Sequence, residues 1–395
     1  MPTVWARLAT LALVTVAGVS TLALAPSARP PSHADIASVP LLAYYYIWFD
    51  PSSWDRGKTD QPLLGRYSSD DEAVMRQHVR WAKAAGIEGF IVSWKSTAVL
   101  DKRLESLMRI AAEEDFRLAI IYQGLDFKRE PLGIELIAED LDRFIAEYAA
   151  DPVFRIWEKP LVIWSGTWEF TEAEIEDVAE PRRDRLLILG SERSLDGVAR
   201  IAPLLDGNAY YWSSVNPATN SRHETKLREM GRAVHDAGGR WIAPAAPGFD
   251  ARRIGGASVV PRAEGRTLAA ELDAAVRSLP DAVGLISWNE FSENTHVEPS
   301  RAHGDRYIGL LADWRNRPPL DVADFDSSAP DGSSPCCSRW AWRASGSLER
   351  PAAGWRPRDE GARAAAGRGD RPAGAAGRTD RGELISRDHA QGGQP

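Results

Sequence analysis

The chain has 395 residues, 44% of them apolar, and a net charge of −8 at pH 7: enough for a sizeable core, and too acidic for nucleic acid as its main partner. From Asp331 onward it carries 11 Arg against 8 acidic residues, so about −11 rests on the remainder. Both cysteines, Cys336 and Cys337, lie in that tail, and residues 1–335 therefore offer no disulfide, thiolate nucleophile or thiolate metal ligand.

Leu8 to Ala25 is an apolar run after Arg7, ending in Ala23-Leu24-Ala25. That is the pattern of a secretory signal, and the run is also near bilayer length. Residues 1–28 are accordingly read as a cleaved signal or a membrane anchor, and the protein is expected outside the cell or on its surface. Residues 29–39 read as a linker.

Short β-rich runs and longer helical patterns then alternate. The strands are expected at 41–48, 89–94, 117–123, 160–164, 185–190, 208–212, 241–245 and 283–288. Between them lie helical patterns at 69–85, 101–114, 136–150, 172–178, 195–205, 224–237 and 268–279, with 306–314 following the eighth strand. Ser69 with Glu72 reads as a capping box at the start of the first helix, and Gly86 as its end. Eight strands alternating with eight helices is the count of a (β/α)8 TIM barrel, and the runs are continuously apolar, as strands buried on both faces should be. A doubly wound sheet would favour a glycine-rich turn after the first strand, where Trp48-Phe49-Asp50-Pro51 stands instead. Residues 40–320 are read as the catalytic barrel. The segment 321–395, rich in Ala, Gly, Pro, Arg and Ser, is read as a tail with too little apolar surface to fold, a composition also expected of a shifted reading frame.

The active site of such a barrel lies where the strands end. That rule selects Trp48, Asp50, Trp94, Lys95, Gln123, Asp126, Trp164, Trp168, Glu192, Tyr211, Trp212, Asp250, Arg252, Arg253, Glu290 and Glu293. Sugars need such a mixture, because rings pack on their C–H faces while hydroxyls require polar partners. Seven tryptophans, Trp48, Trp54, Trp94, Trp164, Trp168, Trp212 and Trp288, fall at or just past strand ends, where core packing is the competing role. His296 and His303 match no recognised metal-ligand spacing, and no metal is expected.

Glu290 follows the apolar run ending Trp288-Asn289, where an unpaired carboxylate would be costly. A turn starting near Glu290 would bring Glu293 to the same side, and a carboxylate pair of unlike pKa is what a glycosidase needs. A helix-start acidic pair is the competing reading.

The segment Ser287-Trp288-Asn289-Glu290-Phe291-Ser292-Glu293-Asn294-Thr295-His296-Val297-Glu298-Pro299 resembles the N-E-W-x-E-G-T-x-I-E-P signature of glycoside hydrolase family 99 and family 71-like barrels. The aromatic first strand Tyr44-Tyr45-Tyr46-Ile47-Trp48, the segment Trp81 to Phe90 and the turn Pro247-Gly248-Phe249-Asp250 support the resemblance, which spans residues 41 to about 316. It implies an endo-α-mannosidase-like enzyme without cofactor, acting on an oligo- or polysaccharide. Glu290 would be the base toward the sugar's own 2-hydroxyl, giving a 1,2-anhydro sugar, and Glu293 the acid at the leaving oxygen. Tyr46, Trp48, Trp94, Tyr211, Trp212, Asp250, Asn289 and Glu298 are the expected sugar-binding shell. The chain departs from the pattern at Phe291, Asn294 and Ile47, where the family has tryptophan, glycine and proline. These departures are expected in the substrate shell. A non-catalytic glycan-binding or envelope-assembly protein on the same barrel is the alternative, and a metal-dependent hydrolase a third reading.

Overall fold

A computed structural model describes residues 33–34, 36–126, 128–318 and 320–321. The signal or anchor at 1–28 and nearly all of the tail at 321–395 lie outside the described residues. No helix among the described residues is long and apolar enough to cross a membrane.

Parallel strands and helices alternate through the body. They are β1 (Leu41–Tyr46), α1 (Glu72–Ala84), β2 (Gly89–Trp94), α2 (Ala98–Glu113), β3 (Arg117–Gln123), α3 (Ile134–Glu147), β4 (Leu161–Ser165) and α4 (Glu172–Ala179). The second half comprises β5 (Leu187–Leu189), α5 (Leu195–Ile201), β6 (Gly207–Ala209), α6 (His223–Asp236), β7 (Arg240–Ala245), α7 (Arg266–Arg277), β8 (Ala282–Leu285) and α8 (Arg306–Arg315). The expected (β/α)8 barrel is present. Neighbouring strands run β5-β4-β3-β2-β1-β8-β7-β6. The ring closes between β5 and β6 through the Gly190–Asn208 bridge, with Gly190 N–H on Gly207 O at 3.0 Å and Ala209 N–H on Gly190 O at 2.8 Å. Gly207 has φ 146° and lies so close to Arg240 that a Cβ would collide with the Arg240 backbone.

Alternation across the strands divides the core in two. Leu42, Tyr44, Ile91, Ile121, Ile163 and Ile242 fill the barrel, while Ala43, Tyr45, Phe90, Val92, Ile120 and Val162 pack under the helices. Each such aliphatic contributes roughly 1.5–3 kcal/mol on burial, which is why the runs are continuous rather than alternating in sequence.

Several boundaries differ from the sequence expectation for physical reasons. Asp71, not Ser69, caps α1 and accepts the Ala73 N–H at 2.9 Å, since its carboxylate stands directly before the first turn and favours the helix dipole. Ser69 instead accepts the Phe49 N–H through Oγ at 3.1 Å. Gly86, at φ 75°, does end that helix. Ile36 is buried in the main core and Arg315 donates to its carbonyl at 2.7 Å, so the end of the segment read as a linker is built into the body. β8 stops short of Trp288, yet its pairing persists through Ile286 N–H on Ala245 O and Trp288 N–H on Tyr44 O, both 2.8 Å.

Candidate active site

Beyond β8 the chain folds back on itself instead of starting a helix. Ser287 N–H donates to Thr295 O at 2.9 Å and Val297 N–H to Ser287 O at 3.0 Å, closing a loop with Glu290 and Glu293 inside it. Ser287 Oγ accepts the Glu290 N–H at 2.8 Å, which fixes the backbone of the first carboxylate. The loop turns at Asn294, whose φ of 57° lies in the left-handed region that asparagine tolerates better than most residues. That accounts for asparagine in place of the expected glycine. Arg262 holds the turn from behind, donating to Asn294 Oδ1 at 2.9 Å and Asn294 O at 3.0 Å.

The two carboxylates share one buried setting. Glu290 is 7% exposed and Glu293 9%. Burial, then the charge of Glu290, push the Glu293 carboxyl up to about 8, against a smaller opposing pull from Arg129. Glu290 Oε1 accepts the Ser292 N–H at 2.8 Å. Lys58, largely withdrawn from water, donates to Ser292 Oγ at 2.7 Å and lies within the field of Glu290. Burial pushes the Tyr46 and Tyr211 hydroxyls well above their usual value, and both carboxylates add to this, so the four groups face one space.

Of the expected shell, Tyr46 and Tyr211 meet at this centre, their hydroxyls 2.6 Å apart. Trp48 stacks on Tyr46 at 4.3 Å and remains partly exposed. Trp212 is likewise half-buried, parallel to Tyr210. Asp250 adjoins the loop by its backbone, N–H to Glu293 O at 2.7 Å, while its carboxylate pairs with Arg252 at 2.6 Å and is held low by it.

Three expected sugar contacts are instead structural. Trp94 is fully buried against Phe144 and Tyr148, with its indole N–H on Asp101 at 3.0 Å; its side chain points to the helix layer, not the barrel mouth. Asn289 is fully buried and its amide clamps β1, accepting Tyr46 N–H and donating to Tyr46 O, both at 2.9 Å. Glu298 lies inside the wall, accepting from Tyr67 Oη at 2.9 Å and 3.1 Å from His78 Nε2. Four of the seven strand-end tryptophans, Trp54, Trp94, Trp164 and Trp288, are fully buried core residues. Phe291 is buried too, stacked on His296 at 4.0 Å, and Ile47 is buried, so neither departure touches the substrate shell.

Among the other strand-end residues, Asp50 caps the turn Pro51–Asp55, and Glu192 is buried in an ion pair with Arg200 at 2.9 Å. Lys95 is half-buried, donating to Leu125 O at 3.3 Å, and Gln123 contacts Ser93 at 3.5 Å. Asp126 accepts the Lys128 and Glu130 N–H groups within its own loop. Trp168 remains part-exposed, whereas Arg252 is engaged with Asp250. Sequence reasoning missed Lys58, Tyr67 and Arg129. They sit in loops beyond the residues that directly follow a strand, with no motif of their own to mark them.

Asp60, His296 and His303 bring ligand-type atoms within 4.8 Å of one another. Burial and Arg262 press the His296 imidazole down to about 3, so the ring is neutral. Arg262 faces its Nδ1 at 3.3 Å as a donor, which leaves the proton on Nε2, 3.4 Å from Asp60 Oδ2. A metal-ligating histidine offers its second nitrogen to an acceptor, the reverse of this arrangement. Asp60 and His296, with Arg262 behind them, therefore read as a polar staple: Asp60 also accepts the Ala302 N–H at 3.1 Å, joining the loop after β1 to the loop after β8.

Comparison with known proteins agrees with this architecture. The chain shares 21% identity and a TM-score of 0.62 with a GH99 endo-alpha-mannosidase from Bacteroides thetaiotaomicron bound to BIS-TRIS-propane, covering 69% of this chain and 95% of that one. A second structure of a GH99 endo-alpha-mannosidase from that organism gives 19%, 0.61, 69% and 96%. A glycoside hydrolase-like protein gives 16%, 0.54, 70% and 94%. At such identities the likeness speaks to the fold. No curated protein matches the sequence. The family model for glycosyl hydrolase family 99 matches residues 50–316, which takes in the loop of Glu290 and Glu293 and most of the barrel; the chain belongs to that family and is a glycoside hydrolase acting on glycans.

Proposed function

We propose that the chain is a retaining, endo-acting hydrolase of α-linked glycans resembling α-mannan, with Glu290 and Glu293 as its reacting groups. The observation that carries this reading is the Glu293 carboxyl, held protonated near neutral pH by burial beside a second carboxylate. In the first step Glu293 gives its proton to the departing glycosidic oxygen. Glu290 takes the proton of the sugar's 2-hydroxyl, whose oxygen closes on C1 as the C1–O bond breaks, giving a 1,2-anhydro sugar. In the second step Glu293, now a carboxylate, takes a proton from water as that water attacks C1. The C1–O2 bond opens and O2 recovers its proton from Glu290. Two inversions at C1 retain configuration with no enzyme-bound sugar. The Ser292 N–H, donating to Glu290 Oε1 at 2.8 Å, holds that carboxyl in place, and Tyr46, Trp48, Tyr211 and Trp212 supply hydroxyl and ring contacts to the sugar.

The endo-α-mannosidases of like fold motivate the choice of polymer. Reducing-end release from α-mannans and α-glucans by wild type and Glu293→Gln tests it. Acid catalysis contributes about 10²- to 10⁴-fold, so the variant should lose that much turnover while remaining folded. Unchanged turnover would remove Glu293 from the chemistry, and tight binding of every glycan without release would favour a pure binding protein. The apolar run at 8–25 supports export as part of the proposal. Cell fractionation checks it, and a protein confined to the cytoplasm would refute it.

A further inference from the structure

Two cations stand at the carboxyl-terminal end of the barrel, beyond Tyr211 from the catalytic pair. Arg193, in the loop after β5, lays its guanidinium over the Trp168 ring at 4.1 Å. Lys226, in the first turn of α6, donates from Nζ to Tyr210 Oη at 2.9 Å and lies 4.8 Å from that ring's centroid. Several partly or fully buried arginines elsewhere are matched by acids, as Arg103 is by Asp70, Arg182 by Asp142 and Arg200 by Glu192. Among the described residues no carboxylate pairs with Arg193 or Lys226. The acid whose field reaches Tyr210 is Glu271, and it is buried and taken up by His223 at 3.1 Å.

The charge of Arg193 acts on both Tyr210 and Lys226, so the two cations are neighbours. Burial and this like charge together hold the Lys226 ammonium below its usual value. Two half-buried like charges repel, and an anion placed between them would relieve that cost. The surrounding surface suits a sugar: Trp168 and Trp212 are part-exposed, and Trp212 is parallel to Tyr210 at 6.2 Å. Tyr211, between Tyr210 and Trp212, reaches the catalytic centre through Tyr46. Tyr210 and Trp212 pack on the helix side of the strand and Tyr211 on the barrel side, so the two cations stand on the rim behind Tyr211, at the same carboxyl-terminal end of the barrel as Glu290 and Glu293, within reach of a glycan that extends over that rim.

We propose that Arg193 and Lys226, flanked by Trp168 and Trp212, form a subsite for an anionic sugar residue of the substrate, bearing a carboxylate, phosphate or sulfate group. The inference rests on the glycan-hydrolase reading and narrows its substrate class. Three matched polymers test it: a neutral α-mannan, the same mannan oxidised at C6 to the uronate, and a phosphate-bearing mannan. Equilibrium binding to the full chain gives the affinity ratio of each anionic polymer to the neutral one. A ratio of roughly 10 or more at low salt is expected for at least one anionic polymer. It should fall to near one in Arg193→Gln/Lys226→Gln, checked for folding by circular dichroism, and should shrink in about 0.5 M NaCl. The uronate and phosphate arms identify which anion is preferred. A ratio near one in the wild type, a preference that survives the double variant, or no binding of either anionic polymer overturns the subsite. Reducing-end release is read separately. Its absence together with a charge-dependent ratio would count against the hydrolytic proposal while supporting the subsite.

Discussion

Glu293 is the residue on which catalysis and stability make opposite demands. Its carboxyl sits at about 8 in the folded chain against an ordinary 4.5, so folding binds a proton there across that interval. The stability contributed by the protonated form is complete below about pH 4.5 and is lost as pH rises through about 8. A glutamine cannot ionise. Glu293→Gln should therefore be more stable than wild type at pH 8 to 9, by on the order of a few kcal/mol, and the gap should close toward pH 4.5. Denaturant titrations of both proteins at several pH values check this; a constant gap would show that Glu293 is not titrating as described. The same ionisation should end activity on the alkaline side, with kcat/KM of the wild type falling above about pH 8. The carboxylate pair was legible in the sequence, since an apolar run ending in Asn289-Glu290 leaves a charge in a costly place. The roles of Trp94 and Glu298 were not. Nothing in a strand-end position tells which way the side chain points, and both turn into the wall where Asp101 and Tyr67 await them.

Elements meet at the seam between β1 and β8, where the Asn289 amide stands in for a ladder rung that the turning chain no longer supplies. Replacing Asn289 with alanine would leave the Tyr46 N–H and C=O buried without partners. Each unmet group costs roughly 1–3 kcal/mol, so the fold should lose on the order of 2–6 kcal/mol. A denaturant midpoint unchanged in Asn289→Ala would contradict the clamp. Strands β2 and β3 were legible to the residue, because their apolar runs end where their pairing ends. β5, β6 and β8 were shorter than their runs, since Tyr210–Trp212 and Ile286–Trp288 stay apolar after regular pairing gives way to the loops of the site. The left-handed turn at Asn294 was visible only as a departure from the family pattern, and its reason lay in a backbone angle.

For the whole molecule, the core runs from Ile36 to Trp314, and the antiparallel pair His33–Ala34 with Leu320–Asp321 ties the two ends of the body together. A chain limited to residues 33–321 should keep the thermal midpoint of the full protein to within about 2 °C, as expected if the Ala-, Gly- and Pro-rich tail offers too little apolar surface to add stability. A drop of ten degrees would show that the remaining segments pack on the barrel. Barrel class was readable from the count and continuity of apolar runs, whereas the staple of Asp60, His296 and Arg262 joins residues over two hundred positions apart and left no local trace.

The ring of strands is fastened unevenly. β2 and β3 share six paired positions, whereas β5 and β6 have one ladder bridge, between Gly190 and Asn208, backed by Asp206 N–H on Ile188 O at 2.9 Å and by the Asn208 amide on the Glu192 backbone. Like a cask whose shortest staves adjoin, the wall should part there first when it breathes. The Gly190 and Ala209 amides should then trade hydrogen for deuterium sooner than those of β2 and β3. Because Tyr211 hangs directly beyond β6, such an opening would widen the aromatic side of the cleft while the carboxylates, held from β1 and β8, stay in place.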